Sequence, residues 1–350
     1  MIKDPICGME IENENFVSEV KGKKYFFCSA GCRDKFKKSP VKFLKDYNYD
    51  LVIIGGGPAG LTAAIYASVS KMDTFLVTKD IGGQAVDSSK IKNYMGFDFI
   101  NGKDLVKKFR DQFLHEHYLE HKMDEVIKLV HSGDDFEILT RTKNRILAHA
   151  VIIATGMKRK KLGIPGEERF QRKGVSYSSV QDIALFKGLE VVVIGGGNSG
   201  IQTANDLKKI GCKVTIVSKS KLIADQSDID LVKKGDKVNI LEGYDVIEIQ
   251  GKDKVEGVVV QSQSELSTRQ IPCDGVFIQV GFLPNAEFCR DLLRLNEKGE
   301  VIINPDCSTD IDGIFACGDV TDVFGKRIII ASGEGAKAVL SAKQYLSRAY

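Results

Sequence analysis

The chain has 350 residues, 50 of them basic and 47 acidic, for a net charge of +3, and 43% of its residues are hydrophobic. So even a balance argues against a nucleic-acid partner, and the basic run at 158–161 reads as a solvated loop. No apolar run reaches the roughly 18 residues that span a bilayer, and the N-terminus has neither the apolar core nor the cleavage site of a secretory signal. A cytoplasmic, reducing setting is therefore expected. There the eight cysteines would serve metal binding or redox chemistry rather than disulfides.

In chain order, the first feature is a cysteine set. Cys7 lies in the turn-like DPICGMEI, and Cys28 and Cys32 lie four apart in YFFCSAGCRDKF. The spacing predicts a strand-to-helix junction at which three thiolates converge. Soft thiolates favour zinc or copper. Asp4 is a turn cap or a fourth ligand. A unit this small has little core of its own, and a metal would help hold it together. A polar, aromatic linker follows at 41–50.

The segment LVIIGGGPAG, at 51–60, is a short Val- and Ile-rich run followed by a glycine cluster. The run is too short for a helix and reads as a buried parallel strand. Gly55 permits a tight turn, Gly57 lets the backbone approach a pyrophosphate, and Gly60 lets the following helix pack on the strand. A helix at LTAAIYASVS and a strand at TFLV complete a β-α-β unit. FLHEHYLEHKM reads as a helix with His115, His117 and His121 on a solvated face. AVIIATG, at 150–156, is another strand.

At 191–200, VVVIGGGNSG repeats the first pattern 140 positions later. Gly195, Gly197 and Gly200 take the same roles, with a helix at IQTANDLKKI and a strand at KVTIV. The repeat marks duplicated domains. NAD sites place an acid at the end of this second strand, on the ribose hydroxyls. Ser218 stands there instead. Lys219 and Lys221 follow and can face a 2′-phosphate, which favours NADP, whereas Gly200 in place of alanine leans toward NAD. A strand at GVFIQVG (275–281), the segment GIFACGD (313–319) and a helix at SGEGAKAVLSAKQYL end the chain. Cys212, Cys273, Cys289, Cys307 and Cys317 are scattered and read as small buried apolar side chains.

Six motifs in order, GGGPAG, IGGQ, KNY, ATG, GGGNSG and ACGDV, resemble the thioredoxin reductase family, which includes the reductase component of alkyl hydroperoxide reductase. The resemblance spans about residues 49–346 and implies an α/β fold of two Rossmann-like, three-layer dinucleotide-binding domains. An FAD domain is expected at 48–158 and 284–350, with an NAD(P) domain at 159–283 inserted into it. The resemblance implies cofactor contacts from Pro58, Ala59, Thr78, Gly83, Gln84, Asn93, Thr155, Gly156, Asn198, Ser199 and Gly318. It also implies that Asp319 holds the ribityl chain of FAD and that Arg327 reaches the flavin. Ile328 replaces the usual glutamine after that arginine. A homodimer is the family's implied assembly. Residues 3–45 resemble the YHS or TRASH class of heavy-metal-binding modules, giving a small α+β module at 1–47.

One departure is informative. Family members that reduce thioredoxin carry VSYC-x-x-C-D, whereas this chain reads VSYSSVQD, with Ser178 and Gln181 at the two cysteine positions. Neither residue forms a disulfide or a thiolate adduct. The sequence thus points to an NAD(P)H-dependent flavoprotein with an external electron acceptor: a metal species, ferredoxin or a small redox protein. A flavin-bearing metal sensor or carrier is the reading from another class. No catalytic acid or base is assigned.

Overall fold

The computed structural model describes residues 1–350 apart from 1, 3, 7, 8, 10, 12–15, 21, 39, 41–47, 89, 117, 118, 179–181, 235, 236 and 350. Its first part contains strands β1 (Phe16–Val20) and β2 (Lys23–Phe27), helix α1 (Ala30–Lys38), β3 (Asn48–Ile54), α2 (Pro58–Val69), β4 (Thr74–Thr78), α3 (Gly102–Leu114), β5 (Leu119–Met123), β6 (Val126–Ser132), β7 (Asp135–Thr140), β8 (Arg145–Ile153) and β9 (Met157–Arg159). Next come β10 (Val175–Ser176), β11 (Glu190–Ile194), α4 (Asn198–Lys209), β12 (Lys213–Ser218), α5 (Gln226–Lys233) and β13 (Val238–Glu242). The chain ends with β14 (Tyr244–Gln250), β15 (Gly257–Ser262), β16 (Thr268–Pro272), β17 (Gly275–Ile278), β18 (Phe282–Pro284), β19 (Ile314–Ala316) and α6 (Ile328–Ala349).

Two large sheets carry the architecture. The first has seven strands in the order β5-β4-β3-β8-β7-β6, with β19 against β8. Its strands come from before and after the second sheet, which runs β10-β17-β11-β12-β13 and is parallel throughout. A three-stranded antiparallel sheet, β14-β15-β16, lies beside the second. The short antiparallel pair β9 and β18 joins the two crossings between the large sheets.

The apolar runs of β3 and β11 lack alternation because both faces of each strand are covered. Leu51 and Ile53 pack under α2 and α6, while Val52 and Ile54 face a second core on the other side of the sheet. In β11, Val192 and Ile194 face one core and Val191 and Val193 another. Each fully buried Ile or Leu contributes about 1.5–3 kcal/mol. Helix α6 lies directly on α2, and at Gly335 a Cβ would sit 2.1 Å from the Ala59 carbonyl oxygen. Only glycine allows that approach.

The histidine-rich stretch differs from the helix expected there. Helix α3 ends at Leu114, with His115 as its C-cap. His121 lies on β5, paired in parallel with β4; His117 is outside the described residues. Sheet pairing thus overrides the local helical pattern at His121. The C-terminal helix starts earlier than expected, at Ile328. The basic run at 158–161 is largely neutralised in place: Lys158 pairs with Glu287, Arg159 with Asp87 and Lys161 with Glu168.

The N-terminal unit is a β1–β2 hairpin with α1 laid across it. Its core is Phe27 and Phe36, both fully buried, with ring centroids 4.9 Å apart. Among the described residues no helix is long and apolar enough to cross a membrane.

Candidate active site

A cleft of about 1510 Å³ opens at the C-terminal ends of β3, β4 and β8. This is where ligands bind in open α/β sheets. It is lined by Gly55, Gly57, Pro58, Ala59, Thr78, Gly83, Gln84, Asn93, Thr155, Gly156, Asp319, Arg327 and Ile328. Tertiary structure therefore brings together residues from four separated stretches of chain. Gly60 and Gly318 lie behind the wall and govern its packing. A Cβ on Gly60 would fall 1.8 Å from the Gly55 oxygen, and one on Gly318 would fall 2.9 Å from the Ala59 Cβ.

The glycine loop divides its labour as its spacing implies. Gly55 has φ +113°, and a Cβ there would meet the Ala154 oxygen at 2.3 Å. Gly57 has open space where its Cβ would be. It is the N-cap of α2, with no side-chain cap, proline next, and no acid in the first turn. The backbone N–H groups of that turn therefore have a vacant approach and the positive end of a helix behind them, which fits a pyrophosphate. Asp319 fits the ribityl chain of FAD that the resemblance implies: it lines the cleft and makes no side-chain hydrogen bond among the described residues. Burial pushes its carboxyl above the ordinary value, with Lys326 and Arg327 pulling the other way. Ribityl hydroxyls are suitable donors for it.

The second glycine loop reproduces these contacts. Gly195 has φ +121° and would place a Cβ 2.2 Å from the Gln279 oxygen; a Gly200 Cβ would lie 2.0 Å from the Gly195 oxygen; Gly197 has open space. Gly197 caps α4 without a side-chain bond. Asn198 Oδ1 accepts the Asp225 N–H at 2.8 Å, and the Ser199 carbonyl accepts the Thr203 hydroxyl at 2.7 Å. Lys219 is exposed and holds Asp245 at 2.7 Å. Lys221 is exposed.

Several contacts around the cleft are not legible in the sequence. Asn285 clamps its floor, accepting the Thr155 hydroxyl at its carbonyl and donating to the Thr155 carbonyl at 3.0 Å. Gln84 donates to the Met157 carbonyl at 2.6 Å. Asp87 pairs with Arg159 at 3.0 Å and accepts the Ser178 hydroxyl at 3.2 Å. Away from the cleft, beside the core of the second sheet, Glu167, almost fully buried, accepts from the Leu162 and Gly163 N–H groups and from the Tyr177 hydroxyl. The only sequence signal for Asp87 is its position three residues after IGGQ. Gln181 lies outside the described residues.

In the N-terminal unit, Cys28 follows β2 and Cys32 lies on α1, as their spacing predicts, with Sγ atoms 3.8 Å apart. Asp4 is buried beside them. It accepts the N–H groups of Ile6 and Cys28, both at 2.8 Å. Asp4, Cys28 and Cys32 bring three possible ligand atoms within 4.8 Å of one another. Burial opposes ionisation of Asp4, but these N–H groups and the two thiols outweigh it and hold the carboxyl at about 2. Cys7 lies outside the described residues.

Two glycine loops of matching geometry, each at the end of a parallel β-α-β unit, one of them opening on a large cleft, define a two-domain dinucleotide-binding oxidoreductase. Residues 49–338 match the pyridine nucleotide-disulphide oxidoreductase family, and residues 2–47 match the YHS domain. The chain belongs to that oxidoreductase family and is an FAD-dependent NAD(P)H oxidoreductase. It is 38% identical over 304 residues to thioredoxin reductase of Listeria monocytogenes serovar 1/2a, covering 85% of this chain and 94% of that one. It is 36% identical over 317 residues to the F component of alkyl hydroperoxide reductase from Escherichia coli K12, covering 89% of this chain. It spans only 61% of that longer relative. Lactococcus lactis thioredoxin reductase in its FR conformation superposes with a TM-score of 0.77, at 36% identity, over 86% of this chain and 100% of that one.

Proposed function

We propose that this chain passes hydride from a nicotinamide nucleotide to FAD and passes electrons on to an external acceptor, without a resident dithiol. FAD is assigned to the cleft at Gly55–Gly60 and the nicotinamide nucleotide to the loop at Gly195–Gly200. The domain division follows, with residues 48–158 and 284–350 around FAD and 159–283 around the nucleotide. Bound FAD supplies a two-electron centre between nicotinamide and acceptor. The chain's own residues bind and orient: the α2 N-terminus takes phosphate charge, Asp319 accepts ribityl hydroxyls, and the Asn285–Thr155 clamp holds the cleft floor.

The observation that carries this reading is Ser178. Its hydroxyl is held against the Asp87 carboxylate at 3.2 Å. A hydroxyl does not form a disulfide, and a carboxylate at this distance disfavours an anion in its place.

The acceptor is proposed to be metal-linked and delivered by the N-terminal unit, with Cys28, Cys32 and Cys7 holding zinc or copper; of these only copper takes an electron, passing from Cu(II) to Cu(I), and zinc there is structural. The separation of Cys28 and Cys32 supports this. Two thiolates at tetrahedral zinc, each about 2.3 Å from the metal, lie roughly 3.8 Å apart, close to the 3.8 Å between these sulfurs. The absence of cysteine at positions 178 and 181 also supports a second reading, ferredoxin reduction.

The test is anaerobic flavin reduction by NADH or NADPH, followed by acceptors: thioredoxin, ferredoxin and copper(II), each reduced copper taking one electron, with zinc as the redox-inert control. The wild type is compared with the full-length Cys28→Ser/Cys32→Ser variant. We expect no thioredoxin turnover and metal-linked turnover that the variant loses. Ferredoxin turnover equal in both proteins establishes the second reading. Thioredoxin turnover that persists in the variant overturns the mechanism.

A further inference from the structure

The second glycine loop leaves the choice between the two nicotinamide nucleotides to residues around Ser218. The inference rests on that loop holding the nicotinamide nucleotide. Ser218 is buried at the end of β12, its hydroxyl 2.5 Å from where a Cβ on Gly196 would be. It therefore sits on the glycine loop, at the ribose position, but brings no charge to accept two ribose hydroxyls.

A carboxylate reaches the same place from the neighbouring strand. Strand β12 runs parallel to β13, and the register partner of Ser218 is Glu242. Glu242 Oε1 accepts the Leu222 N–H at 2.9 Å, which draws the carboxylate over the 218–222 turn. Leu222 is itself seated on the glycine loop, with Cδ2 2.9 Å from a Gly196 Cβ position. One Glu242 oxygen is thus tied to the backbone; the other has no hydrogen-bond partner among the described residues.

The basic groups that would receive a 2′-phosphate are poorly placed to compete. Lys219 is ion-paired to Asp245 at 2.7 Å. Asp225, whose N–H is held by Asn198 of the glycine motif, adds a second acid at this edge. Lys221 is the one nearby lysine for which no acidic partner is described. A 2′-phosphate would enter with nearly two negative charges beside Glu242.

We propose that Glu242 is the specificity-determining residue of the nucleotide site, accepting the adenosine ribose hydroxyls and excluding a 2′-phosphate, so that NADH is preferred over NADPH. A carboxylate that accepts a hydroxyl hydrogen bond in one ligand and meets a phosphate in the other separates them by about tenfold or more.

The test is equilibrium binding, not turnover: titration of the FAD-loaded full-length protein with ADP-ribose and with 2′-phospho-ADP-ribose. The wild type is expected to bind ADP-ribose at least about tenfold tighter. Glu242→Gln keeps an acceptor for the Leu222 N–H and is expected to narrow that ratio. Asp245→Asn, which releases Lys219, is expected to strengthen binding of the phosphorylated ligand. Tighter wild-type binding of the phosphorylated ligand, or an unchanged ratio in Glu242→Gln, overturns the proposal. Binding of neither ligand by FAD-loaded protein instead overturns the nucleotide assignment of the loop, and the proposal with it.

Discussion

Substituting the two glycines that flank the α2 N-terminus separates a ligand cradle from a mere tight turn. At Gly57 a Cβ meets nothing within 4 Å, and its φ of −78° suits any residue. Gly57→Ala therefore alters folding stability by no more than about 1 kcal/mol, since slightly poorer capping is offset by a less flexible unfolded chain. That is a change in Tm of no more than about 4 °C. The same methyl projects where a pyrophosphate approaches the helix. Loss of one charge-assisted hydrogen bond, about 1.5–3 kcal/mol, weakens FAD binding by roughly 10- to 100-fold. Gly60→Ala behaves in the opposite way. Its Cβ would lie 1.8 Å from the Gly55 oxygen and 2.9 Å from the carbonyl carbon, both backbone atoms. The helix must lift from the strand, at about 1–3 kcal/mol or more. The assays are thermal unfolding of the flavin-stripped proteins and FAD titration followed by flavin fluorescence. Wild-type FAD affinity in Gly57→Ala would show that the turn holds no phosphate. Wild-type stability in Gly60→Ala would refute the close helix–strand approach.

Asp319→Asn is expected to weaken FAD binding yet stabilise the flavin-stripped protein at neutral pH. The folded-state carboxyl is raised by burial, so the folded state holds its proton more tightly than the unfolded chain, and ionisation on going from acid to neutral pH removes stability. The stability gain should vanish below the ordinary carboxylate range; a gain that persists there in thermal unfolding contradicts the argument. Thiol reagents should label Cys28 and Cys32 before Cys273, Cys289 and Cys307, whose thiols burial pushes up to about 12. Peptide mapping after brief alkylation checks this, and added zinc should protect the N-terminal pair. Glu167→Ala leaves two N–H donors and the Tyr177 hydroxyl without their acceptor and should lower stability by about 3 kcal/mol, read as a fall in denaturation midpoint. An unchanged midpoint would show that these bonds are replaced by solvent.

The two β-α-β units and their glycine loops were legible from residues 51–60 and 191–200 because their requirements are local. An unbroken Val and Ile run suits only a strand covered on both faces, and a carbonyl about 2 Å from a would-be Cβ admits only glycine. The junction carrying Cys28 and Cys32 was legible for the same reason, since four residues of chain set their separation. Tertiary structure alone decided what depends on distant chain. It ended α3 at Leu114 because 119–123 pairs with β4. It tied Asp4 to Cys28, Asp87 to Ser178 and Thr155 to Asn285, and it paired Lys219 with Asp245. It set Glu242 beside Ser218 through the register of β13. Local sterics and periodicity are written in neighbouring residues, whereas partners across loops emerge only when packing of the whole chain fixes strand order and register.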